Sequence, residues 1–442
     1  MITSSIDIYT AGIAGVIIIG FIGDMIARRS GLPSIIWLLA FGIILGPLLG
    51  ILKNSLLVSL SPIVSTLVLL IVVFNAGLKL NIYQFVRSLS RTSLLAVVNF
   101  AVAALFAILG CLFFGFSIID ALLLGVIVGG TSAAVIPIIS KGSSLSPQAK
   151  SLVTVESILT DPIGIILTLA LINIVLLNQY SVNFVISSVI SSFSISLVLG
   201  AVAGFIWIPI MGYLQKDRYE YSYAGALAAA FILFLAVQGL NGSGPIAVLV
   251  FGLMIANGEE IFKWFKYKNT SNFTMSAESR RFNNLITFFT SAFFFVYLGA
   301  LVSFSNYIAI FTGIVVSVLL VLARFIGTPM ALFKSQYQKE EIPQISTMVS
   351  RGMGAGVLAT LPLAYGVPGT SDFINIIFTV ILFTILFNSG SAFLFRKKKP
   401  LQTNSKASLS NQAKKEAEEQ ASSKKQQSRK AGKEASPDST VP

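Results

Sequence analysis

The sequence predicts an all-α polytopic membrane protein of about thirteen transmembrane helices, arranged as inverted repeats with one broken helix in each. Three observations carry this reading. Of the 442 residues 55% are hydrophobic and only 11% charged, with a mean hydropathy of +0.84, whereas a soluble chain carries roughly a quarter charged residues. Thirteen apolar runs of about 17 residues or more are long enough to cross a bilayer. Two of those runs are interrupted by glycine and proline at matching places in the two halves.

The runs follow in order. The first, 8–27, ends on Arg28-Arg29 and has no cleavage site, so it reads as a retained helix. Next come 33–51, opened by Pro33, then 61–78 and 92–116. The fifth, 119–139, contains Gly129-Gly130, Thr131-Ser132 and Pro137; the sixth, 148–177, contains Glu156 and Asp161. The long seventh, 183–213, fits a tilted helix. The runs 222–239, 243–257, 282–303 and 307–332 follow, the last with Arg324 deep inside it. The twelfth, 345–365, has three glycines between Arg351 and Val357 and a proline at 362. The thirteenth is 373–395.

Charge orients these runs. Loops after odd-numbered runs hold Arg28/Arg29, Lys79/Arg87/Arg91, Lys141/Lys150, Lys216/Arg218, a group from Lys263 to Arg281, and Lys334/Lys339. Loops after even-numbered runs hold little beyond Lys53, Asp120 and Asp372. Basic loops stay in the cytoplasm, so a cell-membrane protein is expected with its N-terminus outside and its C-terminus inside. The chain divides into a membrane domain, 1–395, and a polar tail, 396–442, with twelve Lys/Arg against five Asp/Glu. That tail has too little apolar surface to fold and is expected to be disordered, with RKKK held near anionic membrane lipids. It offers no aromatic platform for nucleic acid, so no nucleic-acid partner is expected.

Composition narrows the chemistry. There is no histidine, hence neither the usual pH switch nor the commonest metal ligand. The single cysteine, Cys111, lies in apolar surroundings and reads as packing. No enzyme is expected, and no cofactor. Proton chemistry must fall on carboxylates. Of the eighteen acids only Glu156 and Asp161 sit deep in an apolar run, where an ionised group is costly and tends to mark an ion path.

The breaks matter because unpaired backbone groups at bilayer depth survive only where they line a cavity. Placed in the fifth and twelfth of thirteen helices, they occupy equivalent positions in repeats 1–6 and 8–13, and the odd number of helices between the copies inverts the second one. This is the pattern of a secondary transporter with its site at the midplane. On the sixth run Ser157 and Asp161 are four apart and share a face, Thr160 adjoins Asp161, and Pro162 frees the carbonyl of Ile158. With Thr131 and Ser132 these are hard oxygen donors suited to an alkali cation. Glu156 is five residues before Asp161, about 140° around the helix, and is expected to ion-pair. Arg324 and Arg351 are its two candidate partners.

In order along the chain, LPSIIWLLAFGIILGP, FNAGLKL, GGTSAAVIPI, VESILTDPIG, LARFIGTP and SRGMGAGVLA resemble the signatures of the monovalent cation–proton antiporter superfamily, specifically sodium/proton exchangers of the NhaP type. The resemblance covers about residues 8–395. It implies the sodium/proton antiporter fold and a homodimer, with interface helices at about 8–78 and 183–303 and a mobile core at about 92–177 and 307–395. It also implies that Asp161 binds ion and proton, that Ser157 and Thr131 help coordinate Na+, and that Glu156 pairs with an arginine of the eleventh helix.

Three positions depart from the family pattern. Thr160 stands where these exchangers have asparagine, Ser132 where many have aspartate, and Asn75 where the third helix often has glutamate. All three make the site less negative. The expected function is electroneutral exchange of Na+, or Li+, for H+. A K+/H+ antiporter on the same scaffold and a solute symporter with the same inverted repeats are the alternatives.

Overall fold

The computed structural model describes residues 5–52, 54–80, 92–132, 145–177, 182–217, 221–264, 275–333 and 341–394. The expected polar tail lies outside them. Among the described residues every regular element is a helix. They are α1 (Ser5–Ser30), α2 (Ser34–Ile43, running on through a π turn at Ile44–Leu48), α3 (Asn54–Lys79), α4 (Thr92–Phe113), α5 (Ile118–Gly129) and α6 (Pro147–Leu177). The second half holds α7 (Val182–Asp217), α8 (Tyr221–Gly239), α9 (Gly244–Ala256), α10 (Gly258–Trp264), α11 (Ala277–Leu301), α12 (Tyr307–Ala331), α13 (Glu341–Ser346), α14 (Met353–Ala364) and α15 (Phe373–Leu394).

Among the described residues eight helices are long and apolar enough to cross a membrane, or nine if α9 and α10 form one span. Three apolar helices are shorter: Ser34–Leu48, α5 and α14. The apolar run 243–257 does not act as a straight span. It stops after 13 residues and turns by 74° into α10. Thirteen residues rise only about 20 Å, short of the ~30 Å hydrocarbon thickness. Asn257 fixes the bend, its side-chain amide donating to the carbonyls of Leu253 at 2.7 Å and Leu80 at 2.8 Å.

Helical structure is lost near both predicted interruptions. α5 stops at Gly129, and Gly130 is extended with ψ 156°. Pro137 falls in 133–144, outside the described residues. In the other half, 347–352 separate α13 from α14 and have no regular secondary structure. Pro162, by contrast, sits inside an unbroken α6, where it removes one backbone donor without ending the helix.

Bare backbone allows the closest crossings. A Cβ on Gly42 of α2 would stand 2.8 Å from the Cα of Gly299 on α11, and one on Gly252 of α9 would stand 3.3 Å from the Cα of Gly77 on α3. Small residues let helices approach where no hydrophobic force drives them together. α4 packs chiefly on α12 and α5, α12 on α15, and α5 on α6; α9 packs on α3 and α7, and α11 on α2. α14 reaches across to α3. One buried cluster joins Leu39 of α2, Val73 of α3, Leu124 of α5, Phe294 of α11 and Ile377 of α15.

Candidate functional site

The two breaks meet. The backbone amide of Ser132 donates to the carbonyl of Ser350 at 2.9 Å, joining the unwound stretches directly. A Cβ on Gly352 would collide with the Ser132 side chain, lying 2.7 Å from its Cβ. Arg351, buried at 2% exposure, closes the end of α5. Its Nε donates to the Val128 carbonyl at 2.6 Å, its Nη1 donates to the Val349 carbonyl, and its backbone amide donates to Thr384 Oγ1 at 3.1 Å. A cation at a helix C-terminus satisfies orphan carbonyls and opposes the negative end of the dipole.

α6 supplies the remaining partners of the first break. The Thr131 amide donates to Thr160 Oγ1 at 3.2 Å, Thr160 Oγ1 donates to the Ser157 carbonyl at 3.2 Å, and the hydroxyls of Thr131 and Ser157 lie 3.0 Å apart. Thr131, Thr160 and Ser157 are thus brought together. Ser157 is fully buried behind this wall, at 0% exposure.

Asp161 opens onto a cavity of about 330 Å³ lined also by Gly130, Thr131, Ser132, Thr160 and Gly354. Its carboxylate faces the first turn of α14, where a Cβ on Gly354 would come within 3.1 Å of Oδ1. The start of α14 has no side-chain cap, and a helix N-terminus is the end that favours an anion. Asp161 is half-buried. Among the described residues no Lys or Arg nitrogen lies within 4.0 Å of its carboxylate.

Glu156 points the other way and is completely buried. Both terminal nitrogens of Arg324 reach its carboxylate, Nη2 at 2.7 Å from Oε2 and Nη1 on Oε1. Asn99 of α4 adds a third donor at 3.1 Å. Between the two candidate arginines the structure selects Arg324, because Arg351 is committed to main-chain carbonyls. The pair ties α6 to α12 and, among the described residues, leaves Arg324 Nε without a partner.

Asn75 lines the cavity, but its side-chain oxygen accepts from Asn283 of α11 at 2.9 Å, and Asn283 in turn accepts from Tyr223 at 2.8 Å. Among the cavity residues that escaped the sequence reading are Lys79, Asn284, Thr287 and Ser291. The three on α11 recur at helical spacing, a period that could have revealed them, though Asn283 and Thr290 interleave with it. The Thr287 and Ser291 hydroxyls donate to the carbonyls one turn back, at 2.8 and 2.6 Å. Lys79, as the last residue of α3, looks like any loop cation in sequence.

Comparison with known proteins fits this arrangement. The family described as "Sodium/hydrogen exchanger, transmembrane" matches residues 14–398. K(+)/H(+) antiporter NhaP2 of Shewanella sp. (strain ANA-3) is 27% identical over 378 residues, 83% of this chain and 62% of that protein. Probable Na(+)/H(+) antiporter 2 of Methanocaldococcus jannaschii is 27% identical over 251 residues, 54% of this chain and 58% of that protein. The chain therefore spans about three-fifths of the length of these relatives. Among solved structures, the sodium proton antiporter MjNhaP1 from Methanocaldococcus jannaschii at pH 8 superposes with a TM-score of 0.73 at 20% identity, covering 87% of this chain and all of that one. The fold is the sodium/proton antiporter fold.

Proposed function

We propose that this chain, which belongs to the sodium/hydrogen exchanger family, is a secondary active antiporter that exchanges a monovalent cation for a proton at Asp161. One observation carries the reading: a carboxylate with no Lys or Arg in contact among the described residues opens into a largely apolar cavity, beside the oxygens of Thr131, Ser132 and Thr160, where two unwound stretches meet. A carboxylate in such a place holds a proton or a metal ion, and the two displace each other. Thr131, Ser132 and Thr160 offer oxygen to the ion beside Asp161, with Ser157 orienting Thr131 from behind. Glu156 and Arg324 form a structural pair, and Arg351 holds the crossing together.

Na+ is the first reading of the cation, with Li+ able to replace it. K+ is the second, favoured by one observation: relatives named K(+)/H(+) antiporters align over 83% of this chain at 26–27% identity. Exchange of one cation for one proton on a single carboxylate is electroneutral. We place the protein in the cell membrane as a homodimer, N-terminus outside. Interface helices at about 8–78 and 183–303 flank a core at about 92–177 and 307–395, and movement of that core carries Asp161 between the two sides. Purified protein in liposomes with an internal pH dye tests this. Proton flux driven by lithium, sodium or potassium supports the reading and ranks the ions; no flux with any of them sinks it.

A further inference from the structure

We infer that Lys79 is an electrostatic lock that holds the unloaded carrier in place and so enforces exchange; the inference rests on the antiport reading. Among the described residues lining the cavity, Asp161 and Lys79 are the only charged pair of opposite sign, and no other Lys, Arg, Asp or Glu faces it. They come from different elements: Asp161 from the middle of α6, Lys79 from the last turn of α3. Lys79 is not within ion-pair distance of any described acid. It stands on a long flexible stem at a helix C-terminus, where a cation is favoured.

An antiporter needs its empty form to stay put, because a carrier that returns empty becomes a leak. When Asp161 carries neither proton nor cation it is negative, and its attraction to Lys79 pulls α6 toward α3. A bound proton or monovalent cation neutralises the carboxylate and removes that attraction. Both loaded forms are then free to move and the empty form is not. The same positive charge repels an incoming cation and lowers its apparent affinity. Lys79 is exposed, so solvent weakens the field without abolishing it.

The test uses Lys79→Met and Lys79→Gln beside wild type in liposomes, with two readouts: cation-dependent proton flux, and tracer cation escape into medium lacking exchangeable cation and buffered against proton exchange. The lock predicts a KM lower by roughly tenfold at fixed pH, together with a cation leak, absent in wild type, that follows the membrane potential. Lys79→Arg should restore tight coupling, which a packing defect would not explain. If the wild type exchanges but the Met and Gln variants keep its KM and show no leak, the lock is wrong and the antiport reading stands. If the wild type itself moves no protons with any cation, the antiport reading falls and the lock falls with it.

Discussion

Arg324 lays both terminal guanidinium nitrogens on the two carboxylate oxygens of Glu156, with Nη2 2.7 Å from Oε2 and both residues at 3% exposure or less. The pair joins α6, which carries Asp161, to α12. It therefore fixes the height and rotation of the helix on which the proposed exchange takes place, while keeping the second deep carboxylate of α6 away from the cavity.

Removing one partner strands the other as a buried charge, at a cost of about 3–5 kcal/mol. Glu156→Gln and Arg324→Ala should each lower the melting temperature in detergent. Exchanging the two residues should recover part of the loss. Melting of Glu156→Gln at the wild-type temperature would contradict a structural role for the pair.

Gly354→Ala probes the space in front of Asp161. Its Cβ would stand 3.1 Å from Oδ1, close enough to obstruct a cation while a proton still fits. Cation KM should rise several-fold with the melting temperature little changed. An unaltered KM would mean that the ion approaches Asp161 from another side.

Membrane potential should neither drive nor oppose exchange. Thr160 stands beside Asp161 where a second acid would add a charge, and Glu156 is committed to Arg324. A potassium–valinomycin potential imposed during sodium/proton exchange should leave the rate unchanged. A rate that follows the sign of the potential, with leak excluded, would implicate a second charge.

Protons and cations should compete. Lowering the pH on the cation side loads Asp161 with protons, so the apparent cation KM should rise while the maximal rate at saturating cation is retained. The sign is fixed by the model of one shared carboxylate. A KM constant across the titration would point to separate sites.

Local chemistry made much of this molecule legible in its sequence. Gly129-Gly130 marked the first break because glycine weakens a helix, and Asp161 stood out because isolated acids are rare in apolar runs; the second break, 347–352, lies mostly ahead of its glycines, with Gly354, Gly356 and Pro362 inside α14. Other features depended on distant neighbours. Either Arg324 or Arg351 could have balanced Glu156, and only the folded arrangement, with Arg351 already holding Val128, decides between them. Asn75 looked like a site residue by its position in the third run, yet its side-chain oxygen is shared with Asn283. Lys79 was hidden for the opposite reason: a lysine ending an apolar helix is ordinary, and only the fold places it on the cavity wall. The bend between α9 and α10 escaped because Asn257-Gly258-Glu259-Glu260 reads as a polar loop ending the run, and only the fold shows a second helix there, turned by 74°.

The most direct measurement of the central claim compares wild type with Asp161→Asn in liposomes, reading cation-driven proton flux by an internal pH dye. Asparagine keeps the size of the side chain and removes the charge and the titratable proton. The account predicts that the variant melts like a folded protein and gives no cation-dependent proton flux at any pH where the wild type is active. Exchange by Asp161→Asn near the wild-type rate would contradict it.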